Sequence, residues 1–475
     1  MVYGDILAQR TKHKISQSKL AEFSGYSPAM ISGWELKKNE PTHEQIKKLF
    51  ATISNILSIK DEQGLDIRKK RIRQSGKPKG ETPSTILSAE DYAKRMSKVT
   101  YSSTKYTELL TSMSTVINSA NAPRAIALFS GCGGMSLGFN WAGYNVIGHV
   151  EIDDAANEIY AANFPDSILL GTDITKLSDS EVLGWIERFG NIDIIIGGPP
   201  CQGFSLAGKR NPEDERSELF RHYFRIVDLV RPKVFIMENV RLMTSMKNSN
   251  GELFLDRMFE ECKNIRYASK LHLVNAQEYG VPQFRERAII VGADTSFSLE
   301  QYEFPTLTHE SNNQITLLAH PSIRTRTFRD AVIDLPSLES GKKTSDPLHW
   351  AISHPFHVIE WLKDVPEGCS AHENENPELR PTSGFNTTYK RLIWNEPCST
   401  ISTNFNIISG CRNVHPTSTR SLTIREAARA QSFPDSFAFF GRWSDIRRVI
   451  GNAVPPLLAK AIADSLFVHL LKVND

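Results

Sequence analysis

Apolar positions along the chain follow different rules in different stretches. Between residues 6 and 35 they recur at helical spacing. Residues 6–13, 17–23 and 29–35 each read as a short helix. Ser16 fits an N-cap for the second, Gly25 turns the chain, and Ser27-Pro28 is a cap-then-proline start for the third. Leu20, Ala21, Ile31 and Trp34 supply their common apolar face. From residue 124 the pattern changes to short apolar runs rich in β-branched residues, separated by amphipathic stretches. Runs at 124–129, 146–150, 192–196, 231–237 and 288–292 read as strands buried on both faces, and 219–230 as an amphipathic helix. Between about 297 and 420 the periodicity fades, and His, Asn, Thr, Pro and Trp become frequent. Helical patterns return at 422–431 and 457–471. The expected class is therefore α/β, behind a small all-α segment.

Composition narrows this only slightly. A chain of 475 residues has room for two or three domains, and a formal net charge of +2 does not by itself announce a nucleic-acid binder. The six cysteines lack ligand spacing or a disulfide framework, so no metal is expected and free thiols in a cytoplasmic protein are. There is no signal-peptide pattern at the start. No apolar stretch approaches the roughly 18–20 residues that span a bilayer, so no membrane partner is expected. Local charge is more informative. Arg68 to Lys79 is a basic run without an acid, marked by Gly and Pro. It reads as a flexible linker whose cations either meet phosphates or stay solvated. Helical patterns at 92–96 and 106–117 lead into the next domain.

The chemistry concentrates at carboxyl ends of the expected strands, where open α/β sheets bind ligands. Residues 192–196 run into Gly197-Gly-Pro-Pro-Cys-Gln-Gly-Phe-Ser205, which holds Cys201 on a stiff loop between glycines. An isolated cysteine is usually a small buried hydrophobe; this setting favours a nucleophile. Strand 124–129 enters a glycine turn, Ser130-Gly-Cys-Gly-Gly134, fit to bring backbone N–H groups to a ligand, although a dinucleotide-binding turn looks alike. Strand 146–150 ends in Glu151-Ile-Asp153, a carboxylate placed for ribose hydroxyls, with Asp153 and Asp154 read as helix caps. Glu238-Asn-Val240 follows strand 231–237, and Gln283-Phe-Arg-Glu-Arg287 precedes strand 288–292. Residues 207–216 read as a polar loop able to act as a lid.

Gly198 to Ser205 resembles the catalytic loop of the DNA (cytosine-5)-methyltransferase family, and the other motifs follow in that family's order from about 124 to 470. The resemblance implies a Rossmann-like S-adenosylmethionine-dependent domain with a smaller target-recognition domain. It assigns Cys201 to attack on cytosine C6, Glu238 to N3, Arg287 to the cytosine carbonyl oxygen, and Arg285 to the catalytic loop or a phosphate. It assigns the cofactor to Phe129, Gly131, Gly133, Gly134, Glu151, Ile152 (adenine face), Asp173 (adenine amino group), Pro200, Leu219 and Asn452. Gln202, Ser205 and Gln283 are implied to face DNA. Ala127 stands where the family often has Asp. The target cytosine would be swung out of a duplex. The motif around 422–435 is structural in the family.

Residues 17–41 resemble the phage-repressor class of helix-turn-helix domains, whose third helix enters the major groove. That points Ser27, Ala29, Met30 and Ser32 at base edges; a helical packing module that touches no DNA is the alternative. The expected domains are 1–65 (helix-turn-helix), 66–120 (basic linker and lead-in helices), 121–296 (catalytic and cofactor-binding), 297–435 (target recognition) and 436–475 (return to the catalytic domain). Expected partners are double-stranded DNA, the gene's own promoter through the first domain, and a separately encoded restriction endonuclease. A transfer-RNA cytosine-5 enzyme, and a repressor with an inactive methyltransferase half, remain as alternatives at this point.

Overall fold

The computed structural model describes residues 3–13, 15–35, 40–54, 56, 86–114, 122–200, 219–247, 251–294, 299, 302–310, 323–382, 384–385 and 387–472. The basic run at 68–79, the expected lid, and Cys201, Gln202 and Ser205 lie outside these residues. The chain divides near residue 77 into two compact units.

The first unit contains α1 (Tyr3–Lys12), α2 (Gln17–Ser24), α3 (Pro28–Glu35) and α4 (residues 43–54). Ile6, Leu20, Ala21, Ile31, Trp34, Leu49 and Ile53 form its core. Gly25 makes the α2–α3 turn at φ +74°, a left-handed conformation that costs glycine little. The Ser27 hydroxyl accepts the Met30 N–H at 3.2 Å and so caps α3. Arg10 forks onto Glu35 at 2.7 and 3.0 Å, tying α1 to the end of α3. Helix α4 was not among the sequence expectations. Its start carries a capping box, with Thr42 N–H on Gln45 and Gln45 N–H on Thr42.

The second unit begins with α5 (Ala89–Met96) and α6 (Lys105–Met113). Tyr92 and Tyr106 on these helices donate to the carbonyls of Phe437 and Arg429, so both dock on the carboxyl-terminal part of the unit. Then come β1 (Arg124–Leu128), α7 (Gly134–Trp141), β2 (Asn145–Val150), α8 (Asp154–Asn163), β3 (Ile168–Gly171), α9 (Asp179–Phe189) and β4 (Ile194–Gly197). They are followed by α10 (Leu219–Val230), β5 (Val234–Val240), α11 (Phe254–Asn264), β6 (Tyr267–Asn275) and β7 (Glu286–Asp294). These strands form one sheet in the order β3-β2-β1-β4-β5-β7-β6. Strands β1 to β5 are parallel, and β7 runs antiparallel between β5 and β6.

Period-two alternation divides the central strands between two cores. Ala125, Ala127, Ile194, Ile196, Val234 and Ile236 face one; Ile126, Leu128, Ile195, Phe235 and Met237 face the other. Because both faces are covered, the strands are apolar along their middles. Strand β6 was missed from sequence because much of it is only half-buried. Strand order reverses at β1, whose neighbours β2 and β4 leave a crevice at their carboxyl ends.

The remainder is poor in regular structure: β8 (His309–Glu310), β9 (Ile323–Arg324), α12 (Phe328–Val332) and α13 (Phe356–Leu362). Val358, Leu362, Ala371, Tyr389, Ile408 and Val414 form a small core of their own within 358–414. Last come α14 (Ile424–Ala430), α15 (Trp443–Asn452) and α16 (Pro456–Lys472). Helix α14 is buried along its whole length and held by ions. Arg425 donates to Asp346 at 2.7 Å, Arg429 to Asp334 at 2.7 Å and Asp435 at 2.6 Å, and Glu426 accepts from Arg420 at 2.8 Å. These partners account for every charge on the helix, which gives it a structural role.

Candidate active site

A cavity of about 570 Å³ opens at the carboxyl ends of β1, β2, β4 and β5. Its wall includes Phe129, Gly131, Gly134, Glu151, Ile152, Pro199, Pro200, Glu238, Asn239, Arg285, Arg287 and Asn452. The sheet's crossover thus gathers residues from four strand ends and from α15, separated by more than 300 positions of chain.

The turn after β1 is backbone-strained. Phe129 has φ 52°, a conformation uncommon outside glycine, and Gly133 has φ 95° at the start of α7. A side chain at Gly133 would collide with the Phe164 ring. The Gly131 N–H donates to Glu151 Oε2 at 2.8 Å, and the Asp153 N–H to Glu151 Oε1 at 2.9 Å. Burial pushes the Glu151 carboxyl pKa up, while these two N–H groups pull it down. Ile152 beside it is 66 % exposed. Asp153 caps α8 through the Ala156 N–H at 2.9 Å, in keeping with its reading as a cap.

Glu238 and Arg287 meet across β5 and β7. Glu238 pairs with Ile289 and Val240 with Arg287, so the two side chains are diagonal neighbours on one face. Arg287 Nε donates to Glu238 Oε1 at 2.7 Å, with both side chains nearly buried. Asn239 Nδ2 donates to the Pro199 carbonyl at 2.9 Å and anchors the proline loop that leads to Cys201. Gly198 allows this approach, since a Cβ there would lie 2.9 Å from Glu238 Oε2. Sequence reading gave Asn239 no role.

Several expected site residues are placed differently. Gln283 is fully buried; it donates to Ala430 O and Gln431 Oε1 and accepts the Ile401 N–H, so it faces no solvent where DNA could lie. Arg285 is equally buried. It donates to the carbonyls of Ile401 (3.1 Å), Gly451 (3.0 Å) and Ala453 (2.9 Å), so both terminal nitrogens are engaged by main chain rather than offered to a phosphate, while its Nε finds no partner among the described residues. Alternation on an extended segment did bring both arginines to the cavity, but the carbonyls around Arg285 come from segments distant in the chain that spacing cannot reveal. Asp173 does not line the cavity; its Oδ1 accepts the Thr175 N–H and hydroxyl, which holds its pKa down. Leu219, at the start of α10, packs on the core beneath the sheet and is likewise off the wall, as is Gly133. Arg448 lines the wall and was missed by sequence reading. In the first unit, Met30 is 42 % exposed, Ser27 is exposed but engaged as a cap, and Ser32 is half-buried; the side chain of Ala29 lies outside the description.

The wall has the chemistry of a site for a small amphipathic ligand. It combines an exposed apolar side chain, a half-buried carboxylate and a glycine turn, at a volume usual for such pockets. The Ser130 hydroxyl on this wall is buried and finds no partner among the described residues, so a polar group of a ligand could satisfy it. Among the described residues no cluster of His, Cys, Asp or Glu could hold a metal ion, and no helix is long and apolar enough to cross a membrane.

Comparison with known proteins adds a family to this geometry. Residues 123–468 match C-5 cytosine-specific DNA methylases. The chain belongs to that family. It is a DNA (cytosine-5)-methyltransferase by descent, carrying a helix-turn-helix match at residues 6–53. It is 36% identical over 353 residues to the Type II methyltransferase M1.HphI of Haemophilus parahaemolyticus, covering 74% of this chain and 87% of that one. It is 32% identical over 392 residues to M.DdeI of Desulfomicrobium norvegicum, covering 74% and 90%. Among solved structures, it resembles a protein described as a DNA modification methyltransferase encoded within an E. coli prophage. That likeness has a TM-score of 0.56 and 27% identity, and covers 74% of this chain and all of the other. Members of this family depend on S-adenosylmethionine.

Proposed function

We propose that this methyltransferase modifies C5 of a cytosine swung out of a specific duplex DNA site, with Cys201 as the nucleophile. The observation that carries the reading is the shared cavity: a glycine turn with Glu151 and Ile152 on one side, and the Glu238–Arg287 pair beside the proline loop on the other. Gly131, Gly134, Glu151, Ile152 and Asn452 would hold S-adenosylmethionine. When bound, that cofactor supplies an electrophilic methyl group.

The chain's own residues account for the remaining chemistry. Cytosine C6 is a poor electrophile. Glu238 engages N3, by a hydrogen bond or a proton, and so draws electron density from the ring. Arg287, already bonded to Glu238, turns its remaining N–H groups to the cytosine carbonyl oxygen. The Cys201 thiolate then adds to C6, which makes C5 nucleophilic. After C5 is methylated, loss of its proton expels the thiolate and restores the aromatic ring. Thiolate suits both steps because it attacks and leaves well. Duplex stacking covers both faces of the ring, so the base must leave the stack first.

The test is labelled-methyl transfer to duplex DNA, with transfer RNA alongside and Cys201→Ser beside wild type. Transfer to DNA that the substitution abolishes supports the reading. Transfer to RNA alone, or undiminished transfer by the variant, overturns it. Base-resolution sequencing of the product would give the target site. The Type II relatives support a restriction–modification role, in which the methylated site resists a separately encoded nuclease.

The first unit has its own core and a repressor-like helix pair, yet the methyltransferase unit already needs its own means of reading DNA. The reading that follows is that it binds the gene's own promoter and limits expression. Deleting residues 1–80 should spare methylation and raise transcription from that promoter several-fold in a reporter assay. Unchanged transcription refutes it.

A further inference from the structure

Arg448 is a cation on the described cavity wall that the chemistry above does not use. It lies on α15 and reaches away from its own helix. Nη1 donates to Asp153 Oδ2 at 2.6 Å and Nη2 to Asp153 Oδ1 at 3.2 Å, while Nη2 also donates to Asp445 Oδ1 at 3.1 Å, one turn back. Asp153 and Arg448 both line the cavity, and both are only partly exposed, at 29% and 37%.

What Asp153 holds gives this pair its meaning. Its Oδ1 caps α8 through the Ala156 N–H, and its own N–H donates to Glu151 Oε1. Glu151 Oε2 in turn accepts the Gly131 N–H of the glycine turn, and the Glu151 carbonyl accepts from Asn157 of α8. Ile152, the exposed apolar residue, sits between the two carboxylates in sequence. Arg448 therefore closes a chain of hydrogen bonds running from the glycine turn through Glu151 and Asp153 to α15, the helix that also delivers Asn452. A planar, two-pronged guanidinium fixes the orientation of a carboxylate in a way that a point charge does not.

We propose that the Arg448–Asp153 pair is a positioning clamp for the cofactor pocket, which holds the Glu151–Ile152 wall in place for the nucleoside end of the bound molecule. The proposal rests on the cofactor reading above. It predicts an effect on cofactor affinity separate from the chemical step. Preordering of a wall residue saves ordering cost on binding, and double-mutant cycles put partly exposed ion pairs at a several-fold effect.

The experiment measures S-adenosylhomocysteine binding to the full chain by calorimetry, with steady-state kinetics in parallel. Arg448→Met should weaken binding about fivefold and raise KM for S-adenosylmethionine by a similar factor, with kcat at saturating cofactor holding. Asp153→Asn keeps the helix cap and should show the same change, with the double variant no worse than either single. Arg448→Lys should recover part of the loss. Equal binding by wild type and Arg448→Met, additive losses in the double variant, or a fall in kcat with KM unchanged each overturn the clamp. A wild type that does not bind S-adenosylhomocysteine overturns the cofactor reading itself and the clamp with it.

Discussion

Replacing Arg285 by Met separates two roles for a buried arginine. The guanidinium is fully buried and serves three main-chain carbonyls, from Ile401, Gly451 and Ala453. Burial, and then the Arg287 charge, push its pKa down. Methionine fills much of the same volume but leaves those carbonyls without a donor. Each orphaned acceptor costs about 1–3 kcal/mol. Against this stands the recovered desolvation of the cation, several kcal/mol. Removing one partner of a buried charged interaction typically costs about 3–5 kcal/mol, and a loss of that size is expected here. At roughly 2.1 cal/mol/K per residue, a unit of about 400 residues would lose about 4–6 °C of Tm. Urea unfolding of wild type and variant gives the stability change. A salt titration of DNA binding gives the discriminating measurement. A phosphate-contacting arginine would leave stability alone and reduce the slope of log K against log salt by about 1. That pattern would refute the assignment of Arg285 to the carbonyl cluster; a stability loss with the slope unchanged would support it.

Gly198→Ala should lower kcat by about 10- to 100-fold, because the added Cβ lies 2.9 Å from Glu238 Oε2 and must displace the carboxylate from its position. A kcat within twofold of wild type would show that the carboxylate can move freely. Acid should destabilise the protein through its buried histidines. Burial holds His354 at about 4, and its Nε2 accepts both the N–H and the hydroxyl of Ser421, so a proton there opposes a donor. Its pKa is lowered relative to the unfolded chain. The stability it contributes is therefore present above about pH 6.5 and is lost as pH falls toward 4, at up to about 1.4 kcal/mol per pH unit. His354→Gln should flatten the part of the stability–pH curve between those values, and an unchanged slope would remove His354 from the account.

What could be read from the sequence follows from where burial is two-sided. Strands β1, β2, β4 and β5 are apolar on both faces and stood out. So did the turns after them, because glycine and proline must interrupt such runs. Asp153 was legible as a cap for a local reason: the N–H that its carboxylate accepts is three residues away. Strand β6, half-exposed along its middle, had no such contrast. Helix α4 did have a local signal in Thr42 and Gln45, which passed unread. The partners that sequence could not show share a different cause. Gln283 and Arg285 look like exposed reagents in a polar motif. Their partners, at Ile401, Ala430, Gln431, Gly451 and Ala453, lie 116 to 168 positions away. No local pattern encodes that distance. Arg448 escaped for the same reason, its carboxylate lying 295 positions earlier in the chain.

The cavity wall begins at Ala127 and is not finished until Val454, whereas the described helices of the first unit end by residue 56. This has a consequence for the protein during its own synthesis. At about 5–20 residues per second, the ribosome needs roughly 20–80 s to travel from the end of the first unit to the last helix. Throughout that interval a nascent chain carries a folded helix-turn-helix unit joined to half a pocket. Any hold that the first unit has on DNA therefore begins before the same molecule can modify a base.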